Sequence, residues 1–439
     1  MPPDLVLKVL EKYTPMASGY VDLGYKTKGD DVVCLFYVEP AEGNTLEQAA
    51  VHLTAESSIG TWTDICTMNE SVWRKLKPSI FEIKEEAKTV KVAYPLPLFE
   101  LGSVPQLMSS VTGNIYGMKA VENLRVLDIS VPKKYVKSFP GPKYGIPGIR
   151  KLLKVPKRPF VGTIIKPKVG LGPKDHARVA YEAWVGGCDI VKDDENLTDQ
   201  AFNRFDKRVK LTLAALRKAE KETGERKAYM ANITAETNEM LRRMRLVKKE
   251  GGTYAMVDVL TIGPSALQTV REANEDMKLV LHAHRAMHAA LTRNKRHGIT
   301  MLALAKLYRL IGMDQLHIGT AIGKMEGPQE EVMSIRDEIV NDSVPEAKDR
   351  LAQEWHGMKP TFPVASGGLH PGHVPKLMEF MGGDVIIQMG GGIHGHPRGT
   401  TAGAKAARQA VDAVLEGKTL VEYAQTHHEL ALAVQKWVK

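Results

Sequence analysis

Lys192, Asp194 and Glu195 stand together at the end of an apolar run, Gly186-Gly-Cys-Asp-Ile-Val-Lys-Asp-Asp-Glu-Asn196. On a strand, residues two apart share a face, so Lys192 and Asp194 are expected to converge, with Glu195 free to turn inward. Two carboxylates suit a hard divalent cation such as Mg2+. A lysine ammonium has no lone pair and repels such an ion. Lys192 therefore joins a metal site only as a neutral amine or after chemical conversion, for instance to a carbamate by CO2. A salt-bridged surface cluster is the plainer alternative for this segment taken alone.

The elements that would position these groups follow from the pattern of the chain. After about residue 150, short apolar runs alternate with helical stretches: Val161 to Ile165, Asp189 to Val191, Ala228 to Ile233, Met256 to Thr261, Leu279 to His284, Gln315 to Ile318, Thr361 to Ala365 and Val385 to Gln388. Eight β-then-α units predict an α/β fold, a (β/α)8 TIM barrel; an open doubly wound sheet is the runner-up. Ahead of it, runs such as Val32 to Val38, Val90 to Tyr94 and Val126 to Ile129 predict an N-terminal α+β domain. The expected division is 1–137 and 138–439, with Pro140-Gly-Pro-Lys-Tyr-Gly-Ile-Pro-Gly148 as the connection.

Active sites of such barrels lie at the carboxyl ends of the strands, and the reactive residues fall there. Lys166 and Lys168 follow the first run; Lys192, Asp194 and Glu195 the second; His282, His284, Arg285 and His288 the fifth. His317 ends the sixth, with Lys324 on the Gly-rich loop beyond it; Ser366-Gly-Gly368 and Gly390-Gly-Gly392 end the last two. Glycine turns often serve chain reversal alone, but two of them in this position match barrel phosphate sites. Arg285 with His317 offers a second anion site. Two separated anion sites suit a doubly phosphorylated sugar. His282 and His284 share a strand face, so they read either as transition-metal ligands or, for His282, as a core histidine satisfied by hydrogen bonding.

Composition narrows the class. The 439 residues are 43% hydrophobic and 25% charged, ordinary for a globular protein. No secretory signal is visible and no apolar run approaches the length of a membrane span. A cytoplasmic setting is expected, with Cys34, Cys66 and Cys188 as buried free thiols. The net charge of +9 comes without interleaved aromatics, which argues against a nucleic-acid platform.

The motifs then carry a resemblance. Gly162-Thr-Ile-Ile-Lys-Pro-Lys168, Gly187-Cys-Asp-Ile-Val-Lys-Asp-Asp-Glu-Asn196, His282-Ala-His-Arg-Ala-Met-His288 and Gly319-Thr-Ala-Ile-Gly-Lys-Met-Glu-Gly327 closely resemble the large chain of ribulose-1,5-bisphosphate carboxylase/oxygenase (RuBisCO). Glu56-Ser-Ser-Ile-Gly-Thr-Trp62 and Gly113-Asn-Ile-Tyr-Gly-Met-Lys119 resemble the segments that a partner subunit inserts into its active site. The similarity spans nearly the whole chain and is strongest to the archaeal, form III branch, which works without small subunits.

The resemblance implies carboxylation, with competing oxygenation by O2, of ribulose 1,5-bisphosphate to 3-phosphoglycerate. It implies CO2 addition to Lys192, whose carbamate would hold Mg2+ with Asp194 and Glu195 and remove the C3 proton. Lys324 would stabilise the new carboxylate, Lys166 protonate the final carbanion, Lys168 support the centre and His284 contact the C3 oxygen. One phosphate would sit on Arg285 and His317, the other on Gly368, Gly390 and Gly391 with Thr61 and Trp62 of a neighbouring subunit. Ser366 would contact a substrate hydroxyl, Glu56 of the neighbour pair with Lys324, and Asn114 reach the metal region. A homodimer is then the minimum unit, alone or in a ring of dimers, and AMP salvage the expected pathway. Ile59 and Ile393-His394 depart from the pattern of many relatives, and the chain ends at Lys439 with little tail to latch the Lys324 loop. The rivals are a RuBisCO-like enolase that fixes no CO2, and a barrel hydrolase with a metal on His282 and His284.

Overall fold

The computed structural model describes residues 19–61, 63, 65–322 and 328–438. Trp62 and Lys324 lie outside them. The chain divides into two compact units, one formed by 1–139, 288–307 and 342–357, the other by 140–287, 308–341 and 358–439. We propose 137/138 as the domain division in sequence, with the two later segments grouping with the first unit.

The first unit carries β1 (Asp31–Pro40), β2 (Ser79–Lys84), β3 (Thr89–Pro95) and β4 (Val121–Ser130). They form one mixed sheet in the order β10-β4-β1-β3-β2, where β10 is Gly298–Ile299. The second unit is a closed parallel barrel of eight strands: β5 (Phe160–Ile164), β6 (Ile190–Lys192), β7 (Ala228–Asn232), β8 (Tyr254–Asp258), β9 (Val280–His284), β11 (Gln315–His317), β14 (Phe362–Ser366) and β15 (Ile386–Gln388). The short pair β12 (Ser343–Val344) and β13 (Gln353–Glu354) belongs to the first unit. The barrel expectation therefore holds, and each of the eight predicted runs contains a barrel strand or part of one.

Two boundaries differ from the sequence reading. The fourth strand ends at Asp258, and Val259-Leu260-Thr261 open the next helix, which is broken at Gly263-Pro264. Apolar and β-branched residues on both sides of Asp258 hide that junction. The expected connection Pro140 to Gly148 contains the start of a helix, Gly145–Leu153. Its Ile146, Ile149 and Leu153 pack in one core with Phe160, Ile190, Tyr254, Val280, Phe362 and Ile386 from the strand starts.

That core fixes which way each strand faces. Inward residues recur every second position, so Ile190 is followed inward by Lys192, Met256 by Asp258, Val280 by His282 and His284, and Val364 by Ser366. Apolar layers fill the amino-terminal end and ionisable groups crown the carboxyl end. Among the described residues no helix is long and apolar enough to cross a membrane. Cys34 and Cys188 are buried free thiols, whereas Cys66 is exposed, contrary to expectation.

Candidate active site

Asp193 anchors the segment that bears the site. Its carboxylate accepts hydrogen bonds from Tyr229 Oη (2.7 Å), the Asn232 amide (3.0 Å) and Arg208 Nε (3.1 Å), and His176 Nε2 lies 3.0 Å away. Burial opposes its ionisation, but Arg208, His176 and the Asn232 amide outweigh that and hold it well below the usual carboxylate range. Asn232 also donates from Nδ2 to the carbonyl of Glu195 at 3.1 Å. The backbone that presents Lys192, Asp194 and Glu195 is thus tied from beneath.

Lys192 is buried, with 1% of its surface exposed, and its Nζ donates to the Asp193 carbonyl at 2.8 Å. Burial pushes its pKa below the ordinary lysine value, with Lys166 adding to the effect and the nearby carboxylates opposing it. The expected convergence with Asp194 is only partly realised. The carboxylate in salt-bridge range of Lys192 is Glu195, with Oε2 at 3.8 Å. Asp194 is fully buried and turns to Lys166 Nζ at 2.7 Å, with Asn196 donating from its backbone and side chain to the other oxygen.

Glu195 sits among three cationic or ionisable nitrogens, Lys168 Nζ at 3.4 Å, His284 Nε2 at 3.7 Å and Lys192. Burial raises its pKa, but the charges of Lys192, His284 and Lys168 outweigh it and leave the carboxyl at about 2. His284 is oriented through Nδ1, 2.9 Å from Asp258 Oδ1. Sequence reasoning missed Asp258 because it placed the strand end beyond it.

The anion-binding candidates also gather on this barrel. Arg285 is half-buried beside Gly319, and desolvation lowers its pKa to about 10, with Glu331 opposing. His317 Nδ1 lies 2.6 Å from Ser366 Oγ. Gly368 has φ of +71°, the left-handed region that glycine occupies without strain. Gly390 packs on Lys166, where an added Cβ would lie 3.1 Å from Cε, and Gly391 faces open space. His394 is held by Thr163 Oγ1 (3.0 Å) and Thr400 Oγ1 (3.1 Å), and burial with Lys166 nearby lowers its pKa to about 4.

His282 has both ring nitrogens engaged, Nδ1 with Gln315 Oε1 and Nε2 with His317 Nε2, each at 2.9 Å. That is the satisfied core histidine, and it leaves no nitrogen for a metal. In the first unit, Asn114 Nδ2 donates to Glu56 Oε1 at 3.2 Å, so the structure brings these two together; Thr61 and His288 belong to that unit as well.

Asp194 and Glu195 contribute hard oxygen donors, and carbamylated Lys192 would add a third. This donor set fits Mg2+. Lys166 and Lys168, which now occupy the carboxylates, are the groups such an ion would displace.

Residues 145–437 match the family described as ribulose bisphosphate carboxylase large chain, catalytic domain, and residues 19–135 its N-terminal domain. The chain is 56% identical to a ribulose bisphosphate carboxylase of Methanosarcina barkeri over 97% of its length and 100% of that protein. It is 51% identical to one of Methanocaldococcus jannaschii over 95% of its length and 99% of the relative. Among solved structures, a dimeric archaeal Rubisco from Hyperthermus butylicus matches with a TM-score of 0.92 and 45% identity, over 96% and 99% of the two chains. An octameric Rubisco from Pyrococcus horikoshii matches with a TM-score of 0.90 and 46% identity, over 96% of each chain.

Proposed function

Because this chain belongs to the ribulose bisphosphate carboxylase large-chain family, and to its archaeal type, we propose that it carboxylates ribulose 1,5-bisphosphate to two molecules of 3-phosphoglycerate. Oxygenation by O2 competes at the same site. The observation that carries this reading is the gathering of Lys192, Asp194, Glu195, Lys166 and His284 at the carboxyl end of one barrel.

The neutral amine of Lys192 adds CO2, and the resulting carbamate, Asp194 and Glu195 would hold Mg2+. When bound, that ion supplies Lewis-acid stabilisation to the substrate's oxygens. The carbamate oxygen accepts the C3 proton, with His284 oriented by Asp258 against the C3 oxygen. Lys168 balances charge at Glu195. After CO2 adds at C2, Lys324 compensates the new carboxylate. Water then adds at C3, the C2–C3 bond breaks, and Lys166 delivers the last proton. Arg285 and His317 take one phosphate. Gly368, Gly390 and Gly391 take the other, completed by Thr61 and Trp62 of a neighbouring subunit, while Ser366 meets a sugar hydroxyl. Glu56 and Asn114 act as a pair from that neighbour, Glu56 against Lys324 and Asn114 toward the metal region. The working unit is a homodimer or ring of homodimers without small subunits, in the cytoplasm, and its pathway is AMP salvage.

Exchange of the C3 proton with solvent, followed beside product formation, tests the reading. Exchange accompanied by two 3-phosphoglycerate per sugar bisphosphate supports carboxylation. Exchange without CO2 uptake would identify the RuBisCO-like enolase instead.

A further inference from the structure

One hydroxyl fastens both ends of the turn that follows β15, Met389-Gly-Gly-Gly-Ile-His394. Thr163, fully buried on the neighbouring strand β5, donates from Oγ1 to the Met389 carbonyl at 2.8 Å. The same oxygen lies 3.0 Å from Nε2 of half-buried His394 at the far end of the turn. Between the two anchors stand Gly390 and Gly391, the glycines read above as part of a phosphate site.

The direction of each bond follows from its partners. A carbonyl oxygen only accepts, so the single Thr163 proton is committed to Met389. Toward the ring Thr163 Oγ1 is then an acceptor, which places the His394 proton on Nε2. Desolvation with Lys166 nearby brings the His394 pKa to about 4, so the ring is neutral near pH 7. Nδ1 is left to accept from the Thr400 hydroxyl at 3.1 Å, at the start of the helix Gly399–Leu415. The Ile164 carbonyl is a further acceptor beside the ring.

Backbone bonds close the same turn. Met389 N–H donates to the Gly162 carbonyl at 2.9 Å, and the N–H groups of Ile393 and His394 both donate to the Gly390 carbonyl at 3.1 Å. None of these bonds uses the N–H of Gly390 or Gly391. Lys166, against which Gly390 packs, is held separately by Asp194 at 2.7 Å.

We propose that Thr163 and His394 are positioning residues, a hydroxyl and an Nε2–H ring that clamp the Gly390-Gly391 turn in the shape that receives one phosphate of the sugar bisphosphate. The sugar rests on the carboxylase reading; the clamp does not. Phosphate contacts hold substrate and transition state alike, so loosening the turn falls on KM rather than kcat.

Steady-state kinetics of the full chain test it in Thr163→Val, His394→Leu, His394→Gln and the Thr163→Val, His394→Leu double variant. Thr163→Val and His394→Leu should each raise the KM for ribulose 1,5-bisphosphate roughly three- to tenfold, with kcat within about a factor of two. His394→Gln keeps a side-chain N–H donor and should recover most of the loss. The double variant should be no worse than Thr163→Val alone, because both changes break one clamp. An unchanged KM in both single variants, multiplied effects in the double variant, or equal losses in His394→Leu and His394→Gln would overturn the proposal. If the variants fail to fold, 15N-histidine NMR of the wild type decides: an Nε2–H tautomer at every neutral buried ring that bonds a hydroxyl acceptor fits, and an Nδ1–H tautomer or an imidazolium at His394 near neutral pH overturns it. In a protein that fixes no CO2, calorimetric titration with inorganic phosphate separates the two readings. Weaker phosphate binding in His394→Leu than in wild type would support the clamp and fault only the carboxylase; equal binding would overturn the clamp.

Discussion

Lys192 Nζ stands 3.8 Å from Glu195 Oε2 while its own hydrogen bond goes to the backbone of Asp193. A buried ammonium without a hydrogen-bonded carboxylate has poor compensation for its lost hydration. This environment shifts Lys192 toward the neutral amine, the form that CO2 addition would need. Carbamylation would turn the same side chain from a neighbour of Glu195 into a third anionic donor beside it.

Lys166 bonds Asp194 at 2.7 Å, yet Asp194 keeps two further donors from Asn196. Lys166→Met should therefore leave the fold intact. Because its proposed proton transfer comes last, product formation should fall at least about a hundredfold, while C3 proton exchange persists. Loss of both together would remove Lys166 from the final step.

Asp258 orients His284 through Nδ1 at 2.9 Å. Asp258→Asn should lower kcat by roughly ten- to a hundredfold, with KM for the sugar bisphosphate little changed. Steady-state kinetics check it, and an unaltered kcat would show that ring orientation is set elsewhere.

Two glycines separate packing from ligand contact. A Cβ at Gly392 would lie 2.2 Å from the Leu369 carbonyl oxygen and 2.5 Å from His370 Cα, whereas one at Gly391 meets nothing within 4 Å. Gly392→Ala should cost about 1–3 kcal/mol of stability. Gly391→Ala should be neutral to within about 0.5 kcal/mol and raise only the KM. Calorimetry beside kinetics distinguishes the two.

The eight strands were legible because each apolar run is short and ends in polar residues. The crown of reactive groups was legible because strand parity carries a buried core residue to the next inward position. Parity also separates Asp193 from its neighbours Lys192 and Asp194, a signal available in the sequence but left unused. Asp258 was obscured by the apolar start of the following helix. The Gly145–Leu153 helix was concealed by its own glycine and proline content, and its role depends on a barrel that only the fold assembles. Gln315 carries no sequence signal, since its meaning comes from its contact with His282 on the neighbouring strand.

Acid stability follows from the buried anchors. Asp189 accepts two hydrogen bonds from Arg158, both at 2.7 Å, and Asp193 accepts from Arg208 and Tyr229. Burial opposes ionisation of both, and the arginines with their other donors prevail, so both pKa values lie below the ordinary range. The unfolded chain then binds more protons in acid. The stability these groups contribute is complete above the unfolded aspartate pKa of about 4 and lost as pH falls through their lower folded values. The melting temperature should drop below about pH 4. Asp193→Asn should melt lower at neutral pH and show a shallower acid slope; an identical slope would mean that other carboxylates govern acid unfolding.

The most direct measurement is fixation of labelled CO2 from ribulose 1,5-bisphosphate, without O2, after preincubation with Mg2+ and bicarbonate, in wild type and Lys192→Met side by side. Labelled 3-phosphoglycerate from the wild type alone is the predicted result. Equal labelling by a folded Lys192→Met protein, or none from an assembled and preactivated wild type, would contradict the account.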